Sequence, residues 1–309
     1  NPDTNTLPEV GNYVFFDDTG AGAINPSATP QFVILNNNTY IEIVHGIVVS
    51  TGACTNPPLP CAGNLNPPAG AQGHYTVELD AGSTQNDTGA VLVYFNPQNF
   101  PDGVRVLYDG VYYNTLSTPG LGYRQSQSGV AGAFTLLGDP TDTCWTSQVG
   151  TNNYNRSILT PQNTWTANSP SQGNYTLNTL DDQTAALTQN TFSVMVIPKP
   201  NATPNIVTVE ALGPCGGTGF NLEVDCPTQL PSFNSTVGQG DTICSTDFTQ
   251  QFFFARFRNA TNTYPELFNF VFEDHDGVTP LPQGFYIMDN NDFIQVDSNG
   301  IVIATGNCT

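Results

Sequence analysis

Two stretches near the ends of this 309-residue chain are copies of one another, and a chain built on a repeated module has few architectures open to it. Thr4-Asn5-Thr6-Leu7-Pro8-Glu9-Val10-Gly11-Asn12-Tyr13-Val14-Phe15-Phe16-Asp17 aligns with Thr261-Asn262-Thr263-Tyr264-Pro265-Glu266-Leu267-Phe268-Asn269-Phe270-Val271-Phe272-Glu273-Asp274 at an offset of 257. After a loop, Phe32-Val33-Ile34-Leu35 faces Phe285-Tyr286-Ile287-Met288, and Tyr40-Ile41 faces Phe293-Ile294. The match closes with Gly46 to Thr55 against Gly300 to Thr309, at an offset of 254 and on the same cysteine. The second copy is preceded by Asp241 to Phe257, with Cys244 and the apolar run Phe252-Phe253-Phe254, for which the first copy has no counterpart. The N-terminal copy is therefore expected to be a truncated module that lacks at least one strand and a cysteine partner. The chain divides into a partial small module (1–55), a large domain (56–230) and a complete small module (231–309), with the linker-like Pro227 to Asn234 between the last two.

Short apolar runs bounded by Gly, Pro, Asn and Asp recur throughout, among them Tyr13 to Phe16, Gln31 to Leu35, Tyr40 to Val49, His74 to Leu79, Ala90 to Phe95, Val104 to Tyr108, Phe192 to Ile197, Ile206 to Ala211 and Phe252 to Phe257. That density predicts an all-β chain: an antiparallel β-sandwich flanked by small β modules. Only Leu180 to Gln189 looks capable of a helical turn or two, and 24 prolines argue against long helices.

The formal net charge is -20, yet charged residues are only 10% of the chain, with six Lys and Arg in all. No basic stripe exists to neutralise phosphates, which argues against nucleic acid and anionic membranes as partners. Lys199 is the single lysine, so Lys-Asn cross-linking has almost no room. No apolar run reaches the length of a membrane span, and residues 1–15 lack the basic and apolar regions of a signal peptide; Asn1 is read as lying inside mature sequence. Seven cysteines stand far apart with no CxxC pair, the pattern of disulfides in an oxidising compartment, with one thiol over. The expected location is extracellular or on a cell surface.

Further stretches carry a resemblance. They are Cys61-Ala62-Gly63, His74 to Asp80, Phe95-Asn96-Pro97-Gln98, Pro101 to Gly110, Met195 to Pro204, and Gly216 to Leu222 before Cys226-Pro227. Together they are similar to the β-sandwich modules of large secreted or surface proteins of Bacteroidota and of tailed-phage structural proteins. The small module resembles a repeat of the same proteins, which opens at a Cys (Cys244) and has an aromatic centre. It closes through Gly284-Phe285-Tyr286, Gln295-Val296-Asp297-Ser298 and Cys308. The resemblance implies architecture and an extracellular setting, not chemistry. The expected pairings are Cys244 with Cys308, Cys144 with Cys215 and Cys61 with Cys226, leaving Cys54; a Cys54–Cys61 bond is the rival.

Candidate chemistry is sparse. His45, His74 and His275 stand apart from any nucleophile or zinc signature, and no carboxylate pair can be assigned acid/base roles from sequence, so no catalytic residue and no enzyme activity is expected. Asp17-Asp18, Glu273-Asp274-His275-Asp276 and Asp289-Asn290-Asn291-Asp292 gather hard oxygen ligands that suit Ca²⁺, though none has the full spacing of a calcium loop, and ordinary Asx turns explain them equally well. No other cofactor is indicated. Asn-x-Ser/Thr sequons occur at Asn37, Asn86, Asn155, Asn174, Asn201, Asn234, Asn259 and Asn307, close to the number that so Asn- and Thr-rich a chain forms by chance. Tyr108, Tyr112, Tyr113 and Trp145 are the candidates for a glycan-stacking platform.

The function expected from these observations is a structural subunit of an extracellular fibre or surface filament, whose partners are copies of itself joined head-to-tail by strand addition. The truncated module supplies the assembly surface: Tyr13, Val14, Phe15, Phe32, Ile34, Tyr40, Ile41 and Ile43. A carbohydrate-binding adhesin segment, with glycans as partners, is the alternative.

Overall fold

The computed structural model describes residues 8–14, 31–34, 39–53, 58–61, 63–64, 73–98, 100, 102–120, 122–124, 134–138, 153–155, 174–178, 191–213, 219–236 and 248–308. The chain is all-β, and no helix occurs among the described residues, as the proline content leads one to expect. Leu180 to Gln189 lie outside them. Two compact units form, Asn1–Pro57 and Pro58–Thr309, and the second holds both the sandwich and the C-terminal module.

The first unit is a three-stranded antiparallel meander of β1 (Gln31–Ile34), β2 (Thr39–Val44) and β3 (Ile47–Ala53), with Tyr13 bridged to Ile47. The single strand expected over Tyr40 to Val49 is a hairpin instead. Val44 pairs with Ile47 across His45 and Gly46, whose φ angles of 52° and 79° make the two-residue turn that matches strand twist. Histidine is among the few non-glycine types that tolerate this region, which is why the sequence carries no obvious break there.

In the second unit the chain runs through β4 (Leu59–Pro60), β5 (Gly63–Asn64), β6 (Gly73–Asp80), β7 (Gly89–Asn96), β8 (Asp102–Tyr108), β9 (Val111–Tyr113), β10 (Leu116–Thr118), β11 (Gly122–Arg124) and β12 (Phe134–Leu137). It continues with β13 (Asn153–Asn155), β14 (Asn174–Asn178), β15 (Ser193–Lys199), β16 (Ile206–Gly213) and β17 (Asn221–Thr228). Two sheets result, ordered β11-β10-β15-β7-β17-β5 and β13-β14-β12-β8-β16-β6-β4, with β9 beside β8. All pairings are antiparallel except β12 with β14 and β4 with β6. Alternate residues of the central strands face each other between the sheets: Val77, Leu79, Val91, Val93, Phe95, Val104, Val106, Met195, Ile197, Val207 and Val209 form the dry core.

The C-terminal module adds β18 (Ser232–Ser235), β19 (Gln250–Phe254), β20 (Val271–Phe272), β21 (Gly284–Ile287), β22 (Asp292–Val296) and β23 (Val302–Asn307), in two three-stranded sheets. Phe233, Phe254, Val271, Tyr286, Ile294 and Val302 fill its own core. Strand β7 explains how the module is held. All eight of its residues are buried, because Val91, Val93 and Phe95 face the sandwich interior while Ala90, Leu92 and Tyr94 face outward onto Phe270, Phe272, Ala255 and Ile301. A strand covered on both faces reads as a continuous apolar run, which Ala90 to Phe95 does.

Candidate assembly surface

The sequence repeat is a repeat of hydrogen bonds. In the first unit Gly11 N donates to Val48 O, Val14 N to Gly46 O, Val48 N to Asn12 O and Asn12 N to Glu9 O, at 2.8–3.0 Å. In the second, Phe268 N donates to Val302 O, Val271 N to Gly300 O, Val302 N to Asn269 O and Asn269 N to Glu266 O, at the same 2.8–3.0 Å. Each donor and acceptor is the aligned residue of the other copy. Asn12 Oδ1 accepts from Glu9 N and Asn269 Oδ1 from Glu266 N, so in both copies the Asn closes a reciprocal pair of bonds with the Glu three residues before it. The Tyr13–Ile47 bridge becomes Phe270–Ile301, β1–β2 becomes β21–β22 residue for residue, and the irregularity at Glu42/Ile43 returns at Gln295/Val296. One backbone therefore serves both copies. Gly11 takes φ 92° where Phe268 is held at 71°, a strained value for a side chain with a Cβ.

The copies differ in what completes them. Around β20 the C-terminal module adds the β18–β19 hairpin: Phe254 pairs with Val271, Phe253 with Phe272, and Ala255 N donates to Phe270 O. Phe233 and Phe254 then enter the module core. The N-terminal core holds only Ile41, Ile43 and Val48, with Val14 and Val33 packed against them, and no described residue of that unit stands in the place of the hairpin.

Of the residues expected at the assembly surface, Ile41 and Ile43 are fully buried inside the module's own core rather than on an open face, because the period-two alternation of β2 turns them inward. Val14 is half-buried, and Tyr13 is 63% exposed. Phe32, Ile34 and Tyr40 lie on β1 and β2. Phe15 falls outside the described residues.

The seam between module and sandwich is polar at its edges. Ser117 Oγ donates to Phe268 O, Leu230 N donates to His275 O at 2.9 Å, and Arg258 pairs with Glu223 while its guanidinium lies 5.7 Å from the Tyr94 ring centroid. A Cβ at Gly277 would stand 2.9 Å from Val196, so the turn comes as close to the sandwich as glycine allows.

On the outer face of the other sheet lies a buried charged cluster. Glu210 Oε2 accepts from Arg105 at 2.8 Å and lies 2.6 Å from His74 Nε2, while Arg105 covers the rings of Phe134 and Tyr112 at 4.2 and 4.6 Å. Burial would raise the Glu210 carboxyl, but the bonds from His74 and Arg105 outweigh it and hold the group below the ordinary range. Thr76 Oγ1, on the same strand as His74, lies 3.4 Å from the imidazole Nε2, and the cluster pins β6, β8 and β16 to one another. Lys199 is likewise enclosed, its Nζ donating to the carbonyls of Asp87, Asn201 and Ala202 at 2.6–3.1 Å.

Other expected sites divide similarly. Asp274 spends its carboxylate on the amides of Asp276, Val278 and Thr279 at 2.7–3.1 Å; burial opposes these bonds, yet they keep the group below the usual range. Asp292 and Asn290 bond one another within their turn, and no cluster of three or more metal-ligating side chains occurs among the described residues. Asp17 and Asp18 lie outside them. Tyr108 is buried with its hydroxyl donating to Pro204 O, Tyr113 packs on the core, and Tyr112 lies beneath Arg105, so the three form no open stacking platform; Trp145 is not among the described residues. Asn86, Asn201, Asn234, Asn259 and Asn307 are exposed, Asn155 and Asn174 lie on β13 and β14, and Asn37 is outside the described set. Cys308 is disulfide-bonded, and Cys54, Cys144, Cys215 and Cys244 fall outside the described residues. Cys61 and Cys226 carry free thiols side by side, and the Cys226 thiol donates to the Cys61 carbonyl. Burial and then the neighbouring Cys226 thiol push the Cys61 pKa up.

No protein-family model, curated protein or solved structure matches this chain.

Proposed function

We propose that the chain is a structural subunit of an extracellular fibre or surface filament, extended head-to-tail by β-strand addition. The observation that carries this reading is the bond-for-bond identity of the two small modules, one completed by β18–β19 and the other without that hairpin among the described residues. A sheet edge offers a row of amides and carbonyls, and a strand from a neighbour satisfies it as β19 satisfies β20. The sparse charge, the neutral polar surface and a cysteine usage suited to an oxidising compartment favour an extracellular place. A carbohydrate-binding adhesin segment is less favoured, because Tyr108 and Tyr113 are engaged in packing and the exposed Tyr112 already carries Arg105 over its ring. Negative-stain micrographs of the purified protein test the proposal. Filaments with a regular axial repeat are expected, whereas dispersed monomers with saturable binding on a glycan array would overturn it.

A further inference from the structure

The seat of the C-terminal module shows what the N-terminal module is shaped to meet. Phe270 and Ile301, bridged to each other, rest on Ala90, Leu92 and Tyr94 of β7, and their neighbour Phe268 accepts the Ser117 hydroxyl through its carbonyl. Their aligned partners in the N-terminal module, Tyr13 and Ile47, form the same bridge on the same backbone. The exposure differs. Phe270 is 6% exposed and Tyr13 63%; Ile301 is buried and Ile47 half-buried; Asn269 is buried and Asn12 exposed. The face is apolar at its centre, and its position is the one that a sandwich covers in the other copy.

We infer that the Asn12–Tyr13–Ile47 face docks on the outer sheet of a second β-sandwich of the same build as residues 58–260, one that has no closing module of its own and stands in series with this one. An intact second copy of the chain does not offer this seat, because its own Phe270 and Ile301 already occupy it. The occupant is thus a sandwich followed by a Phe-rich hairpin like β18–β19, whose module is residues 8–53. The repeating unit becomes sandwich then module, with a period of 257 residues at the start of the module. This goes beyond the fibre reading and does not require it, because the neighbour is a sandwich in series rather than an intact second copy.

The test is a tandem protein in which residues 58–260 precede residues 4–309, so that Thr4 follows residue 260 as Thr261 does in the natural chain. Hydrogen exchange read by mass spectrometry compares it with the 1–309 chain. The expected result is a tenfold or greater slowing over residues 8–14 and 46–48, including the Val48 amide bonded to Asn12 O, and loss of that slowing in an Ile47→Asp tandem. Unchanged exchange, or an added 58–260 unit that stays unfolded because 4–55 fails to close it, overturns the inference. So does slowing in the 1–309 chain alone that rises with its concentration, which makes a second copy the occupant. Micrographs of the 1–309 protein judge the fibre reading separately: filaments with no tandem protection sink only this inference, and tandem protection without filaments sinks only the fibre.

Discussion

Glu210, His74 and Arg105 come from strands 105 and 136 residues apart in sequence, and their meeting fixes the register of three neighbouring strands. A carboxylate enclosed with two donors is stabilising only while it is ionised and both donors are present. Its pKa is lowered in the folded state, so its contribution is complete above the ordinary glutamate range and disappears as pH falls through the lowered value. Urea denaturation should therefore show stability falling from roughly pH 5 to pH 3, with Asp274 adding to the slope. Glu210→Gln should lower stability near pH 7 by about 2–4 kcal/mol and flatten part of that acid slope. An unchanged slope would mean the cluster is not ionised as described. Lys199 offers a second check at this scale. Lys199→Met keeps the length of the side chain but strands three carbonyls that its ammonium satisfies, and should cost about 2–4 kcal/mol in the same measurement. None of this was legible locally, because a lone His, Glu or Lys in a strand-like run says nothing of what stands across the sheet.

The strands themselves were legible. Runs such as Ala90 to Phe95 and Ile206 to Ala211 lie within the observed β7 and β16, because alternation and flanking Gly or Asn follow directly from the pleat and its turns. The missed hairpin at His45-Gly46 had its signal in the other copy, where the aligned apolar runs Phe293 to Val296 and Ile301 to Ala304 are parted by the turn residues Asp297-Ser298-Asn299-Gly300. The repeat also supplies a clean test of an element. Gly11 and Phe268 occupy one backbone position, at φ 92° and 71°, and a Cβ at Gly11 would meet nothing within 4 Å. Gly11→Ala thus changes backbone strain and little else, and should weaken the turn that bonds Gly11 N to Val48 O by about 1 kcal/mol. Native-state exchange of the Val48 and Val14 amides would then quicken about fivefold, given RT of about 0.6 kcal/mol. No change there would mean the turn does not hold the module.

At the scale of the whole molecule the sequence led us to expect three segments, where two compact units form; it did not show that the C-terminal module closes over the outer face of β7, since an apolar run covered on one side and an apolar run covered on both look alike. The same blindness applies to the staples. Cys61 follows β4 in one sheet and Cys226 lies on β17 in the other, where the register of β17 against β7 shifts; the two are 165 residues apart in the chain and their polar atoms are in contact. A bond between them would tie sheet to sheet and close a loop long enough for chain entropy to contribute roughly 4–5 kcal/mol. The raised Cys61 pKa makes the thiolate scarce, so oxidation should be slow without a catalyst, yet the two thiols already lie side by side when an oxidant is supplied. Protein refolded with a glutathione couple should yield, on non-reducing peptide mapping, a Cys61–Cys226 linked pair. The Cys61→Ser, Cys226→Ser double variant should be less stable by that free energy in urea denaturation, with a correspondingly lower midpoint and the Cys308 bond still intact. Recovery of Cys61 joined to Cys54 instead, or a double variant as stable as the parent, would mean that the sandwich relies on its core alone to hold the sheets together.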